Sequence, residues 1–217
     1  MTASAYVFDA YGTLFDVHAA VRKHADALGP AGARMSKMWR QKQLEYSWVR
    51  SLMGSYADFW RLTEDALDYA LEANDLGADS ELRRALLDAY WTLDAYPEVP
   101  TVLARLRDSG ARIAILSNGS PDMLSAAIDS GGLHALIDDV FSVDAIKQYK
   151  AAPEVYRMVT SSWDVLAKDV SFQSSNRWDI AGAHKFGFQT VWINRTEQPD
   201  EYKNYQPDRV IPTLNEL

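Results

Sequence analysis

Apolar residues along the chain fall into short runs, each closed by polar residues and followed by a stretch of helical periodicity. The clearest are Ala5-Tyr6-Val7-Phe8, Arg112-Ile113-Ala114-Ile115-Leu116, Val170-Ser171-Phe172 and Thr190-Val191-Trp192-Ile193, with a weaker Val140-Phe141-Ser142-Val143. Runs of this kind alternating with helices predict a parallel sheet covered on both sides. Ligands of such sheets bind beyond the carboxyl ends of the strands. Asp9, Ser117-Asn118 and Ser174-Ser175-Asn176 therefore fall along one rim, although they are far apart in sequence. Residues 17–96 break the alternation. Helix-like segments there are separated only by short interruptions, Leu28-Gly29-Pro30, Asn74-Asp75 and Tyr96-Pro97, and no strand is predicted. The pattern reads as an α/β fold. Its parallel-sheet core comprises 1–16 and 97–217, with a helical domain, 17–96, inserted after the first strand.

One inserted helix can be read in detail. In the stretch 35–53, Met35, Met38, Trp39, Tyr46, Val49 and Met53 cluster on one face at the ~100° per residue of an α-helix. That face is expected to be the core of the inserted domain. The opposite face carries Arg40, Gln41, Leu44 and Trp48. A solvated face rarely presents Leu and Trp beside Arg, and two readings are open. One is a second packing surface such as a dimer contact; the other is a pocket wall holding one cation.

Composition narrows the partners. The chain has 217 residues and a formal charge of -8, with an isoelectric point near 5.0. That balance argues against a nucleic acid or an anionic membrane as partner. A small anionic substrate must be met by a few placed cations. Cysteine is absent, which removes disulfides, thiolate metal sites and thiol nucleophiles together. The run at 5–8 is too short for a secretory signal and no run reaches membrane length, so a cytoplasmic protein is expected.

Four polar clusters carry candidate chemistry. Asp9 stands where a buried strand meets the Gly12-Thr13 turn; a carboxylate there suits a nucleophile, and equally a turn residue or cap. Leu116-Ser117-Asn118-Gly119-Ser120-Pro121 offers hydroxyl, amide and backbone N–H donors to an anion. Capping by Ser120 before Pro121 explains part of this cluster, but requires neither Ser117 nor Asn118. Lys150 precedes a helix that begins near Pro153. In Ser174-Ser175-Asn176-Arg177-Trp178-Asp179, the last residue enters a helix, where an acid also answers the helix dipole. Each signal is weak alone. Together they aim at one crevice.

These residues also carry a resemblance. Phe8-Asp9-Ala10-Tyr11-Gly12-Thr13-Leu14, Trp39-Arg40-Gln41-Lys42-Gln43-Leu44-Glu45-Tyr46-Ser47-Trp48, Ala114-Ile115-Leu116-Ser117-Asn118-Gly119 and Ser174-Ser175-Asn176-x-x-Asp179 resemble the L-2-haloacid dehalogenases of the haloacid dehalogenase-like superfamily. The resemblance spans nearly the whole chain in the same order. It implies a Rossmann-like core with an α-helical cap and a site between them. It also implies hydrolysis of L-2-haloalkanoates to D-2-hydroxyalkanoates by a homodimer, with neither metal nor cofactor. By motif position, Asp9 is the nucleophile that attacks C2 with inversion. Arg40 and Asn118 meet the departing halide. Ser117 and the backbone N–H groups near Ala10 and Tyr11 hold the substrate carboxylate. Lys150 and Asp179 complete a charge network, supported by Thr13, Tyr156, Ser174 and Asn176, with Asp179 the first choice to activate water. Tyr11, Gln41, Leu44, Phe59 and Trp178 line the apolar pocket.

Two departures stand out: Ala151 replaces a proline common after this lysine, and Gln173 fills a position usually small and apolar. The rival within the same fold is a magnesium-dependent phosphatase. It needs an acid two residues beyond the nucleophile and another on the last loop, because Mg²⁺ demands hard oxygen ligands. Here Tyr11 and Ser174 stand in those places. A halide leaving group, unlike an alkoxide, also needs no proton.

Overall fold

The computed structural model describes residues 4–77 and 79–217; the first three residues of the expected core segment lie outside the described residues. Six parallel strands form one sheet: β1 (Ala5–Phe8), β2 (Arg112–Ser117), β3 (Asp139–Ser142), β4 (Val170–Ser174), β5 (Gln189–Ile193) and β6 (Arg209–Ile211). Their order is β3-β2-β1-β4-β5-β6. This is the doubly wound arrangement, with β1 at the centre, and the strand order reverses there. Five strands follow the apolar runs. β6 was not predicted: three residues, two of them exposed, bordered by Pro212 give no run to read.

Among the described residues, five α-helices make up the segment inserted after β1. They are α1 (Ala19–Lys23), α2 (Ala25–Leu28), α3 (Gly32–Met53), α4 (Phe59–Glu72) and α5 (Ser80–Trp91). The carboxylates of Asp58 and Asp79 accept the backbone N–H groups of Arg61 and Leu82, which sets the starts of α4 and α5. The chain then returns to the sheet through α6 (Val99–Asp108), and α7 (Pro121–Ser130), α8 (Pro153–Trp163) and α9 (Arg177–Phe186) follow β2, β3 and β4.

The expected core face of α3 holds only for its first half. Met35 and Trp39 are buried, but Val49 and Met53 are 45% and 69% exposed. The buried line instead steps by four residues through Met35, Trp39, Gln43 and Ser47. The two polar members find partners: Gln43 Nε2 donates to Thr63 Oγ1 at 3.0 Å, and the Ser47 hydroxyl donates to the Leu44 carbonyl at 2.7 Å. With its polar groups bonded, a Gln–Ser line is buried in preference to Val49 and Met53.

Candidate active site

Parallel pairing sets the positions of the strand-end residues. Phe8 is in register with Ile115 of β2 and Gln173 of β4, so Asp9, Ser117 and Ser174 emerge together at the carboxyl edge. The Asp9 backbone N–H donates to the Gln173 carbonyl at 2.9 Å, and the chain turns at Gly12, whose φ of +91° suits glycine. The Asp9 side chain is buried and its two oxygens are treated unequally. Oδ2 accepts from Thr13 Oγ1 at 2.9 Å, Asn176 Nδ2 at 2.8 Å and Ser174 Oγ at 3.4 Å. Among the described residues, Oδ1 accepts only from Lys150 Nζ, at 3.1 Å.

Lys150 is buried and joins two acids. Its ammonium lies 2.7 Å from Asp179 Oδ2 as well as 3.1 Å from Asp9. Burial acts to discharge it, but the two carboxylates overcome that and hold it above the ordinary lysine value. Asp179 has no exposed surface. Burial pushes it up to about 6, against the pull of the Lys150 ammonium and helped by the charge on Asp9. Tyr156 donates to its other oxygen, Oδ1, at 2.8 Å. The peptide bond between Lys150 and Ala151 is cis, and the Lys150 N–H donates to Asn118 Oδ1 at 3.0 Å. That bond also orients Asn118, leaving its NH₂ group to point elsewhere.

A set of donors faces the same space. Ser117 Oγ accepts the Gly119 N–H at 3.0 Å, which leaves its own proton to donate. Among the described residues, the backbone N–H groups of Ala10 and Tyr11 donate to no protein acceptor. Arg40 reaches from α3 and donates to the Tyr11 carbonyl at 3.3 Å. Among the described residues it forms no salt bridge, so its charge is held by neutral oxygen.

The apolar wall is aromatic. The Tyr11 ring is buried, with Phe59 6.3 Å away, and Trp178 meets Trp48 edge-on at 5.4 Å. Leu44 is half-buried on α3, and Gln41 is exposed beside it. A cleft of about 590 Å³ opens next to Tyr11, Arg40, Asn176 and Trp178. No motif or pattern marks Tyr90, which stacks on Tyr11 with centroids 5.9 Å apart and planes 9° apart. Nor does one single out the segment 193–201, which forms the outer wall of the cleft.

The donor set does not suit a hard divalent cation. Lys150 Nζ stands against Asp9 Oδ1, and Asp179 is already engaged by Lys150 and Tyr156. Among the described residues, no three His, Cys, Asp or Glu side chains converge in a way that could hold a metal.

A doubly wound α/β fold with a buried carboxylate at its switch point, and helices inserted directly after that strand, defines an enzyme class. Residues 3–187 match the family of haloacid dehalogenase-like hydrolases, and the chain belongs to it. (S)-2-Haloacid dehalogenase 1 of Pseudomonas sp. strain CBS-3 is 50% identical over 214 residues, 98% of this chain and 94% of that protein. (S)-2-Haloacid dehalogenase 4A of Burkholderia cepacia is 46% identical, covering 98% of this chain and 92% of its own. Among solved structures, the L-2-haloacid dehalogenase from Xanthobacter autotrophicus with chloropropionic acid covalently bound matches at a TM-score of 0.91 and 38% identity, over 99% of this chain and 96% of that one.

Proposed function

We propose that the chain hydrolyses L-2-haloalkanoates, the short 2-haloacids, to D-2-hydroxyalkanoates through an ester formed on Asp9. The observation that carries this reading is the unequal shell of the Asp9 carboxylate. Oδ1, with Lys150 as its one partner among the described residues, keeps a lone pair for attack. Oδ2, with three donors, becomes the ester carbonyl and later an oxyanion, and its donors already stand where that charge develops.

The Ser117 hydroxyl and the N–H groups of Ala10 and Tyr11 hold the substrate carboxylate. Asp9 Oδ1 attacks C2 from the side opposite the halogen, a C–O bond forms, and the halide leaves with the electron pair of the broken bond. Arg40 and the NH₂ of Asn118 receive it; its growing charge is best met by a cation already fixed in a dry site. Water then adds to the ester carbonyl and gives its proton to Asp179. The acyl C–O bond breaks, and the proton passes to the departing alkoxide. Asp9 is left carrying one oxygen from water. Lys150 keeps two buried carboxylates compatible throughout. Tyr156 orients Asp179. Tyr11, Phe59 and Trp178, with Gln41 and Leu44 from α3, bound the space for the rest of the substrate.

In this reading residues 17–96 are a cap over a core formed by 1–16 and 97–217, and no metal or cofactor takes part. The protein acts in the cytoplasm as a homodimer; the exposed Val49, Leu52 and Met53 at the end of α3 support self-association. Incubation with L- and D-2-chloropropionate, with and without chelator, tests the activity. Halide is expected from the L enantiomer alone and unchanged by chelator. Absence of halide from both enantiomers contradicts the proposal, and loss of activity with chelator points to a metal-dependent reaction.

A further inference from the structure

Arg195 is used by none of the steps above, yet it stands against three separate parts of the chain. It follows β5, in the outer wall of the cleft. Its Nη2 donates to the Thr13 carbonyl at 3.0 Å, and its Nη1 lies 2.6 Å from Glu98 Oε1. The guanidinium carbon also sits 3.8 Å from the centre of the Tyr96 ring. The two charged side chains are only 16% and 11% exposed, so the pair is no loose surface bridge. Thr213 Oγ1 donates to the same Glu98 oxygen at 3.1 Å and steadies the carboxylate. Tyr96 and Glu98 lie where the chain returns from the inserted helices. The outgoing and returning stretches run side by side there. Phe15 pairs antiparallel with Ala95, the Tyr96 N–H donates to the Leu14 carbonyl at 2.9 Å, and the Asp16 N–H donates to the Asp94 carbonyl at 3.0 Å. Arg195 closes the base of that ribbon, with Thr13 on one arm and Tyr96 and Glu98 on the other.

We infer that Arg195 is a positioning residue for Thr13, and through it for the Asp9 carboxylate, because it clamps the nucleophile turn to the returning chain. Thr13 is fully buried. Its hydroxyl accepts the Ser175 N–H at 2.8 Å and donates to Asp9 Oδ2 at 2.9 Å. In the proposed reaction Oδ2 takes up negative charge when water adds to the ester, so the aim of that hydroxyl counts most in the second step. The Thr13 carbonyl moves only with its planar peptide unit, and fixing that unit fixes the turn from which the side chain projects. A planar guanidinium reaches the carbonyl, the carboxylate and the ring at once. An ammonium, a single point of charge, cannot serve all three.

This role rests on the aspartyl ester of the proposed reaction, and the experiment separates the two. Formation and decay of the ester are followed by rapid quench and intact-protein mass spectrometry in a single turnover of L-2-chloropropionate, with enzyme in excess. Wild type is compared with Arg195→Met, Arg195→Lys, Glu98→Gln and Thr13→Val, and thermal unfolding of each variant measures its folding separately. Thr13→Val removes an oxyanion donor and is expected to slow ester decay on the order of a hundredfold. Arg195→Met keeps that donor but leaves it loosely aimed. Its ester decay is expected to slow roughly tenfold, with formation much less affected. Arg195→Lys is expected to fall between wild type and Arg195→Met. Glu98→Gln weakens the clamp from its other side and is expected to slow decay in the same selective way, so the test stands even where Arg195→Met does not fold. Arg195→Met added to Thr13→Val is expected to be no slower in decay than Thr13→Val alone, since both act through one contact. Equal slowing of both steps, or unchanged decay in the folded Arg195 and Glu98 variants beside slow decay in Thr13→Val, overturns the role of Arg195 alone. Unchanged decay in Thr13→Val overturns it together with the oxyanion role of Thr13. Absence of an ester in wild type contradicts the proposed reaction itself.

Discussion

Asp179 is a carboxylate enclosed on every side, with Lys150 on one oxygen and Tyr156 on the other. Burial raises it to about 6 despite the neighbouring ammonium. In the proposed reaction it accepts a proton from water, and for that it must be ionised. Its active form therefore declines as pH falls through about 6. Lys150 must stay charged, and its value lies above that of an ordinary lysine, so the alkaline loss begins only at high pH. When ester hydrolysis limits turnover, Asp9 is esterified and its charge no longer raises Asp179, so kcat is expected to rise with pH across a midpoint below about 6, and Asp179→Asn to remove that limb while lowering the rate on the order of a hundredfold or more. A limb that persists in Asp179→Asn assigns it to another group. At this scale much of the site was legible. Asp9, Ser117, Lys150, Ser174 and Asp179 all stand at strand ends or helix starts, where parallel pairing gathers side chains from distant positions. Tyr90 was not legible, because a tyrosine near the end of an amphipathic helix reads as core, and its importance lies in a contact with Tyr11, 79 positions away.

The helices hold these residues by close approach. On α9, a Cβ at Gly182 would lie 2.5 Å from the Tyr156 hydroxyl and 2.6 Å from Cβ of Ala151, next to Lys150. Gly182→Ala must therefore displace the group that orients Asp179. Its expected cost is about 1–3 kcal/mol of stability, the range for overpacking, with a loss of at least roughly tenfold in kcat from the disturbed proton acceptor. Thermal unfolding and steady-state kinetics check both. Full activity in that variant would mean that the Tyr156–Asp179 bond is dispensable. The helix α3 was legible as a helix, but its buried face was not. Periodicity favoured Val49 and Met53, whereas the fold buries Gln43 and Ser47, because partners for their polar groups come from other helices or from a nearby carbonyl. The edge strand β6 escaped notice for the opposite reason, too few residues to make a pattern.

Across the whole molecule, the inserted helices close over the sheet through contacts that no local pattern announces. The Tyr56 hydroxyl donates to Asp144 at 2.8 Å, and the Tyr149 hydroxyl donates to the Ala57 carbonyl at 2.6 Å, both spanning about ninety residues of sequence. With Trp48 against Trp178 and Tyr11 against Tyr90, they bring α3, α4 and α5 down on the rim that carries Asp9. Closure matters because a carboxylate attacks carbon far better without its water shell. It also explains how a protein of net charge -8 handles an anionic substrate: the cations that count, Lys150 and Arg40, face inward. In the proposed reaction carbon is attacked by Asp9 rather than by water. The most direct test is a single turnover in ¹⁸O-labelled water, with enzyme in excess over L-2-chloropropionate, followed by mass spectrometry of product and protein. An unlabelled hydroxyl on the 2-hydroxy acid is expected, with the heavy oxygen on Asp9. Label in the product after that first turnover, with none on Asp9, would contradict it.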